Sequence, residues 1–410
     1  MDKHHQARWI IETLANAGYC AYYAGGWVRD FLLGHPSDDI DIATNAPPEI
    51  IQSLFPKTVP IGIAFGIILV VVEEGHEYEV ATFRNDFDYN DGRRPSRVEF
   101  TTAEEDAKRR DFTINGMFYN PLTEEIFDYV EGRQDLKRKI IRAIGNPHER
   151  IREDRLRMIR AVRLCCRFQF AIEPATEKAI RDHASELFPS VAIERVVQEL
   201  EKAHNSRKLK QVLIQLHDFN LLQMIFPELK EIHLDDIKTR LEKIIHFPHQ
   251  TPLIAFLLEL LPNLPIEQQL ALCKRLKLSK IETDFAQFLF QTGKMIDQAG
   301  SHENVEWAHF YAHSSASLAL EVLAAKRADR GQPFIAEHNK RQTSLKIEIE
   351  RIKTNTPVVS AKELMKYGIK PSISMGLLLK EAEKISINQK ISEPDLIISQ
   401  LQNLPLWPKQ

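Results

Sequence analysis

The chain predicts an α+β fold, with a small mixed sheet in about the first 145 residues and helices from there to the end. Three observations lead to this. Runs rich in β-branched and aromatic residues (Tyr19 to Ala24, Ile67 to Val72, Tyr78 to Phe83) alternate with helical stretches only before Pro147. After Pro147 helical periodicity dominates, interrupted near Phe188-Pro189, Phe226-Pro227, Pro262 to Pro265 and Gly331 to Pro333. The length, 410 residues, exceeds what one ordinary core accommodates.

In chain order, residues 5–17 predict a helix with Trp9, Ile10, Leu14 and Ala17 apolar. A strand then enters the glycine pair Gly25-Gly26, followed by a short amphipathic helix and a break at Gly34 to Ser37. Asp39 to Ile42 predict a second strand. Residues two apart share a strand face, so Asp39 and Asp41 point one way while Ile40 and Ile42 enter a core. Pro47-Pro48-Glu49 opens a helix to about Leu54, proline being tolerated in a first turn. Ile67 to Val72 and Tyr78 to Phe83 predict two strands joined by a hairpin turn over Glu73 to His76. Residues 84–97 are polar and turn-rich, and predict a loop that is either a mobile solvated hairpin tip or a follower of a polyanion or nucleotide. A helix is expected from Thr102, acids first and bases later as the macrodipole prefers, continuing through Phe112 to Tyr119. Arg150 to Leu164 predict one further helix.

Composition narrows the class. A net charge of −3 leaves any basic surface local. The longest apolar run, around Ile61 to Val72, is interrupted by glycines and too short to span a bilayer. The first residues carry no apolar signal core. The four cysteines have no metal-ligand spacing, and the adjacent Cys165 and Cys166 are expected to pack a helix; a reducing cytoplasm is the expected compartment.

Two stretches carry chemistry. Asp39 and Asp41 repel each other one pleat apart, and a divalent cation offsets that cost; hard carboxylate oxygens suit Mg²⁺. Taken alone, Asp-x-Asp reads equally as a solvated acidic turn. The preceding glycine pair changes this, because glycines let backbone N–H groups approach phosphate and a helix N-terminus favours negative charge. The second stretch is Glu153-Asp154-Arg155-Leu156-Arg157-Met158-Ile159-Arg160. On a helix, Asp154, Arg157 and Arg160 are neighbours and Arg163 follows round the same side. The plain reading is a basic solvated face with one internal ion pair. The functional reading is base recognition. A carboxylate accepts and a guanidinium donates, matching the amine and ring acceptor of cytosine or adenine and opposing the carbonyl of uracil or guanine.

These residues resemble a known family. Gly-Gly-x-Val-Arg-Asp, Asp-x-Asp, Arg-Arg-Asp-Phe-Thr-Ile-Asn and Glu-Asp-x-x-Arg occur in the order and spacing of the class II tRNA nucleotidyltransferases and bacterial poly(A) polymerases over about residues 20–230. The resemblance implies a polymerase-β-type nucleotidyltransferase head (1–145), a helical neck with the base-reading helix (146–230), a body (231–330) and a tRNA-binding tail (331–410). It implies addition of C, C and A to the tRNA 3′ end from CTP and ATP. Asp39 and Asp41 would bind Mg²⁺, with Glu79 a third carboxylate. Gly25, Gly26 and Arg29 would contact the triphosphate, and Arg110 and Asp111 the ribose and phosphates. Asp154 and Arg157 would read the base, Glu153 would orient Arg157, and Arg160 and Arg163 would support nucleotide or primer phosphate. Residues 84–97 fall where the family has a flexible loop required for adding A.

Val359 to Pro371 resembles the family's tail element, although Ser372-Ile373-Ser374 stands where Gly-Pro is common. No long basic C-terminal extension of the poly(A) polymerase kind is seen. His217-Asp218 is assigned to packing, not to a metal phosphohydrolase site, because His233, His246 and His249 lack a companion His-Asp pair. The alternatives are a poly(A) polymerase, an A-adding partner in a split CC/A system, or a non-catalytic RNA-binding protein.

Overall fold

A computed structural model of the chain describes residues 2–35, 37–89, 95–327 and 330–408. The chain divides into two compact units, residues 1–237 and 238–410.

The first unit opens with α1 (Lys3–Asn16), capped by the Asp2 side chain. It buries Ala7, Ile10, Ile11 and Leu14, a spacing that fits one helical stripe. Each of the larger three contributes about 1.5–3 kcal/mol by leaving water. Trp9, apolar on the same helix, is 42% exposed and rests edge-on against Phe55. There follow β1 (Ala21–Ala24), α2 (Gly26–Leu32), β2 (Asp41–Thr44), α3 (Pro48–Leu54), β3 (Thr58–Gly62), β4 (Ile67–Val71) and β5 (Glu77–Thr82). Then come β6 (Arg84–Tyr89), β7 (Pro95–Phe100), α4 (Ala103–Lys108), β8 (Met117–Asn120), β9 (Glu125–Asp128), α5 (Gly132–Arg138) and β10 (Ile140–Ile141).

Seven strands form one sheet in the order β3-β4-β5-β2-β1-β8-β9. Only the β2–β5 pair is parallel, so the sheet is mixed as the sequence predicts. The turn between β4 and β5 falls at Glu73–Gly75, within the expected hairpin. β3 was not foreseen. Its residues are largely exposed and it contains Pro60, which an edge strand tolerates because no neighbour needs its missing N–H.

Two expectations are corrected here. Residues 84–97 are not a loop throughout but, as in the hairpin alternative, include paired strands: β6 and β7 pair antiparallel from Arg84↔Phe100 to Tyr89↔Pro95, and residues 90–94 lie outside the described residues. The helix from Thr102 stops at Lys108 and does not run on to Tyr119. The Asp111 carboxylate accepts the Phe112 backbone N–H at 2.7 Å, taking a donor the helix would need. The chain then makes a 3₁₀ turn at Thr113–Asn115 and enters the sheet as β8, where Met117 and Phe118 are fully buried.

Past the head lie α6 (Pro147–Glu153), α7 (Leu156–Phe168), β11 (Ala171–Ile172), α8 (Pro174–His183), α9 (Ile193–Asn205), α10 (Leu209–Asp218), α11 (Leu222–Ile225) and α12 (Leu234–Arg240). Asn146 caps α6, with Pro147 at its first position. The two-residue β11 pairs with β10, a strand where none was expected after Pro147. The His217 Nε2 lies 2.8 Å from the Ile232 carbonyl in a buried setting, which is a packing role. The second unit is helical among its described residues, from α13 (Leu253–Leu258) through α14 (Ile266–Arg275), α15 (Lys280–Asp297), α16 (Asn304–Ala312), α17 (Ala316–Ala325), α18 (Gly331–Ser344), α19 (Lys346–Thr354), α20 (Ala361–Lys366), α21 (Ile373–Gln389) and α22 (Pro394–Gln402).

Candidate active site

A cleft of about 800 Å³ in the first unit gathers nearly all the residues singled out from the sequence. Gly25, Gly26, Arg29, Asp39, Asp41, Arg110, Asp111, Asp154, Arg157, Arg160 and Arg163 all line it. Glu79 and Glu153 are not among the lining residues.

The acidic end is set by the sheet. Asp41 opens β2 opposite Ala24 of β1, with Ile40 and Ile42 buried beside it. Asp39 lies just before the strand, its backbone N–H on the Ser37 hydroxyl at 3.1 Å. Both aspartates are open to solvent while their isoleucine neighbours are not, which is the alternation the sequence predicts. The parallel register Ile42↔Val80 sets Glu79 level with Asp41 on the neighbouring strand. Partial burial, then Asp39, then Glu79 push the Asp41 carboxyl up to about 6, opposed by Arg110 and Lys202. That crowding is the electrostatic mark of a cation site. Among the described residues no three His, Cys, Asp or Glu side chains converge to hold a metal. The fitting donor set is therefore the Asp39–Asp41 pair, which suits an ion that keeps waters and takes further ligands from substrate phosphates.

The glycine pair turns β1 into α2. Gly25 has φ 67° and ψ −125°, a conformation that side chains avoid, and a Cβ there would sit 3.1 Å from Arg110 Nη1. Its N–H is already given to the Met117 carbonyl at 3.3 Å, so of the pair it is Gly26, at the first position of α2, whose N–H could meet an anion. Arg29 is only 5% exposed. Its Nε donates to Asp30 at 2.8 Å, an Nη donates to Asn115, and its guanidinium stacks over Phe168 at 4.7 Å. Burial lowers its pKa against the pull of Asp30.

Arg110 is forked onto buried Asp106 at 3.1 and 2.9 Å and stacks over Phe118 at 4.8 Å. Asp106 also accepts from Arg109 Nε at 2.8 Å and from the Arg84 backbone N–H at 3.2 Å. Asp111 accepts from Arg160 Nη1 and from the Asn115 amide, each at 3.0 Å. Burial alone would raise the Asp111 carboxyl, but Arg160, the Asn115 hydrogen bond and Arg157 carry it down to about 2.

At Asp154 the structure corrects the expected single helix. The chain is extended there (φ −148°, ψ 101°), ending α6, and the Asp154 carboxylate accepts the Leu156 N–H at 3.1 Å as α7 begins. An aspartate that caps the following turn competes with helix continuation. Arg157, Arg160 and Arg163 do follow one another along α7. Arg157 Nη1 donates to Glu153 at 2.7 Å and to the Arg150 carbonyl at 2.5 Å. Asp154 pairs with Arg195 of α9, Nη1 to Oδ1 at 3.0 Å and Nη2 to Oδ2 at 2.7 Å. Arg160 Nε and Lys202 Nζ reach buried Glu199 at 3.5 and 3.7 Å, and Arg163 donates to the same carboxylate.

Arg109, Asn115, Leu164, Arg167, Lys202, Asn205 and Ser206 complete the lining and were not singled out. Nor were the supports Asp106, Arg195 and Glu199. Glu199 had a signal: it falls on the apolar stripe of α9, between Val196 and Leu200, where a charge must be paired. The lining sets eight cations (Arg29, Arg109, Arg110, Arg157, Arg160, Arg163, Arg167, Lys202) against four carboxylates, a balance suited to a polyanion held beside a divalent ion.

Comparison with known proteins agrees. Residues 21–142 match the family described as "Poly A polymerase head domain", and residues 169–232 match "Probable RNA and SrmB- binding site of polymerase A". The CCA-adding enzyme of Pediococcus pentosaceus is 33% identical over 397 residues, covering 96% of each chain. The chain belongs to the CCA-adding enzyme family. The CCA-adding enzyme of Staphylococcus saprophyticus is 42% identical over 253 residues, and the match spans 62% of this chain and 61% of that relative. The crystal structure of the Bacillus stearothermophilus CCA-adding enzyme in complex with CTP superposes with a TM-score of 0.78 at 29% identity, covering 98% of this chain and 97% of that one. The Thermotoga maritima CCA-adding enzyme complexed with tRNA shares the fold, with a TM-score of 0.63 at 19% identity over 96% of this chain and 93% of that one. A polymerase-β-type head followed by helices is thus the architecture of this chain, and a nucleotidyltransferase of this fold uses a divalent metal.

Proposed function

We propose that this protein adds C, C and A to the 3′ end of tRNA without a nucleic-acid template, using CTP and ATP and releasing pyrophosphate. The observation that carries this reading is the single cleft that places Asp39 and Asp41 together with Asp154 and Arg157. Asp39 and Asp41 would hold Mg²⁺, which when bound supplies Lewis-acid stabilisation of charge on the reacting oxygens and the leaving pyrophosphate. Glu79, beside Asp41, reinforces the negative field that attracts the cation. Gly26 and Arg110 face the triphosphate, while Arg29, spent largely on Asp30 and Asn115, fixes the turn beneath it. Asp111, held by Arg160 and Asn115, retains acceptor capacity for a ribose hydroxyl.

Arg157, oriented by Glu153, donates to the ring acceptor of the base; Asp154 accepts from its exocyclic amine. A uracil or guanine carbonyl facing Asp154 leaves two acceptors opposed in a partly dry site, which disfavours it. Arg160 and Arg163 balance the phosphates of nucleotide or primer. The four-part division into head (1–145), neck (146–230), body (231–330) and tRNA-gripping tail (331–410), and an A-addition role for the β6–β7 hairpin, belong to the same proposal. So does a cytoplasmic setting, which four cysteines without disulfides suit. No helix among the described residues is long and apolar enough to cross a membrane.

The test is incubation of tRNA lacking its 3′ end with each labelled nucleotide and Mg²⁺. CTP incorporation onto the discriminator base, followed by ATP, is the expected result. Products formed from ATP alone would replace this reading with an A-adding or poly(A) activity.

A further inference from the structure

We propose that Arg195 of α9 is the positioning residue that sets base choice, by fixing which Asp154 oxygen faces the nucleotide. The inference rests on the base-reading role proposed for Asp154. Three donors converge on that carboxylate: Arg195 Nη1 and the Leu156 N–H on Oδ1, and Arg195 Nη2 on Oδ2. A carboxylate oxygen accepts about two hydrogen bonds in good geometry. Oδ1 is therefore filled and Oδ2 has one acceptor direction left. One remaining acceptor matches one amine N–H of cytosine or adenine.

The fork also removes rotational freedom. Asp154 sits on extended backbone between two helices, and the Leu156 N–H on Oδ1 would by itself leave the carboxylate free to turn. A planar guanidinium bonded to both oxygens holds the carboxylate plane, which an ammonium cannot do. Arg195 itself is anchored by an amphipathic helix whose Val196, Val197, Leu200 and Ala203 are buried. One turn further along, Glu199 gathers Arg160, Arg163 and Lys202. The same helix thus supports the base-reading acid through Arg195 and the phosphate-facing cations through Glu199. These are separable duties, and the separation can be measured.

The experiment compares kcat/KM for CTP, ATP, UTP and GTP on full-length wild type, Arg195→Gln, Arg195→Lys, Glu199→Gln and Asp154→Ala, with melting temperatures alongside. Arg195→Gln and Arg195→Lys should each lower the CTP-over-UTP preference by roughly tenfold or more. Glu199→Gln should raise KM for all four nucleotides and leave that preference unchanged. Should Arg195→Gln fail to fold, Arg195→Lys carries the test, since it keeps the charge and loses only the fork. Full discrimination in Arg195→Lys, or an equal loss of discrimination in Glu199→Gln, overturns the proposal. If Asp154→Ala loses discrimination while both Arg195 variants keep it, base reading by Asp154 survives and positioning by Arg195 does not. If Asp154→Ala discriminates normally, the base-reading assignment itself fails, and this inference with it.

Discussion

Asp39 and Asp41 stand two residues apart, with no cationic side chain among the described residues in an ion pair with either, and that arrangement has opposite consequences for stability and activity. In the metal-free protein the negative neighbours of Asp41 oppose its ionisation, with burial the largest cause. Asp41→Asn is therefore expected to melt higher than wild type at pH 7.5 in EDTA. Added magnesium should raise wild type and leave the variant nearly unmoved; calorimetry with and without metal checks both. Turnover answers the other way. Losing either carboxylate, as in Asp39→Ala, is expected to cost on the order of 10³-fold in rate, about 4 kcal/mol of transition-state stabilisation. Normal turnover in Asp39→Ala would remove the metal assignment. Asp154→Ala should relax exclusion of UTP more than it weakens triphosphate binding, because on the proposed reading its one open acceptor would face the base edge while the cations proposed for the phosphates lie elsewhere in the cleft. Equal losses across four nucleotides would contradict this.

The elements show why some of this was legible in the sequence and some was not. Local rules carried β1, α2 and β2, because the glycine pair, the Asp-Ile alternation and the flanking breaks are all written within about twenty residues. The same rules overran the helix at Lys108 and missed the break at Asp154. In both places a carboxylate takes a backbone N–H that helix continuation would use. Arg195 and Glu199 were out of reach of any local rule, since their partners Asp154 and Arg160 lie about forty residues away in sequence. At the β1–α2 turn the backbone argument gives a prediction of its own. Gly25→Ala forces a Cβ into a positive-φ conformation and against Arg110 Nη1, a guanidinium otherwise fixed by Asp106. A loss of about 1–3 kcal/mol in unfolding free energy is expected. It should come with a raised KM for nucleotide, because relieving the contact moves Arg110. Unfolding titrations and steady-state kinetics on the same preparation test the two effects together.

At the scale of the molecule, the break after Pro147 divides the seven-stranded sheet from the helices, with the two-residue β11 the exception, but the compact units divide elsewhere, at 237 and 238. The first helices after the sheet belong with the head because α7 and α9 supply part of the cleft. The second unit has its own core and, within it, an acid-sensitive point. His338 of α18 is 3% exposed, set among Trp307, Tyr311 and Phe334, with its Nδ1 2.8 Å from the Tyr311 hydroxyl. Burial, then Arg341, lower its pKa from 6.5 to about 4. The unfolded chain thus takes up a proton below pH 6.5 that the folded unit refuses until about pH 4. Stability from this site is full above pH 6.5 and declines as pH falls through that window, by about 3 kcal/mol in all. His338→Gln offers Tyr311 an acceptor and cannot titrate. Its stability relative to wild type should therefore improve by about that amount between pH 7 and pH 4. Denaturant unfolding of both proteins at pH 7, 5.5 and 4 measures the difference, and a constant gap across the three would show that His338 takes up its proton in the folded unit as readily as in the unfolded chain.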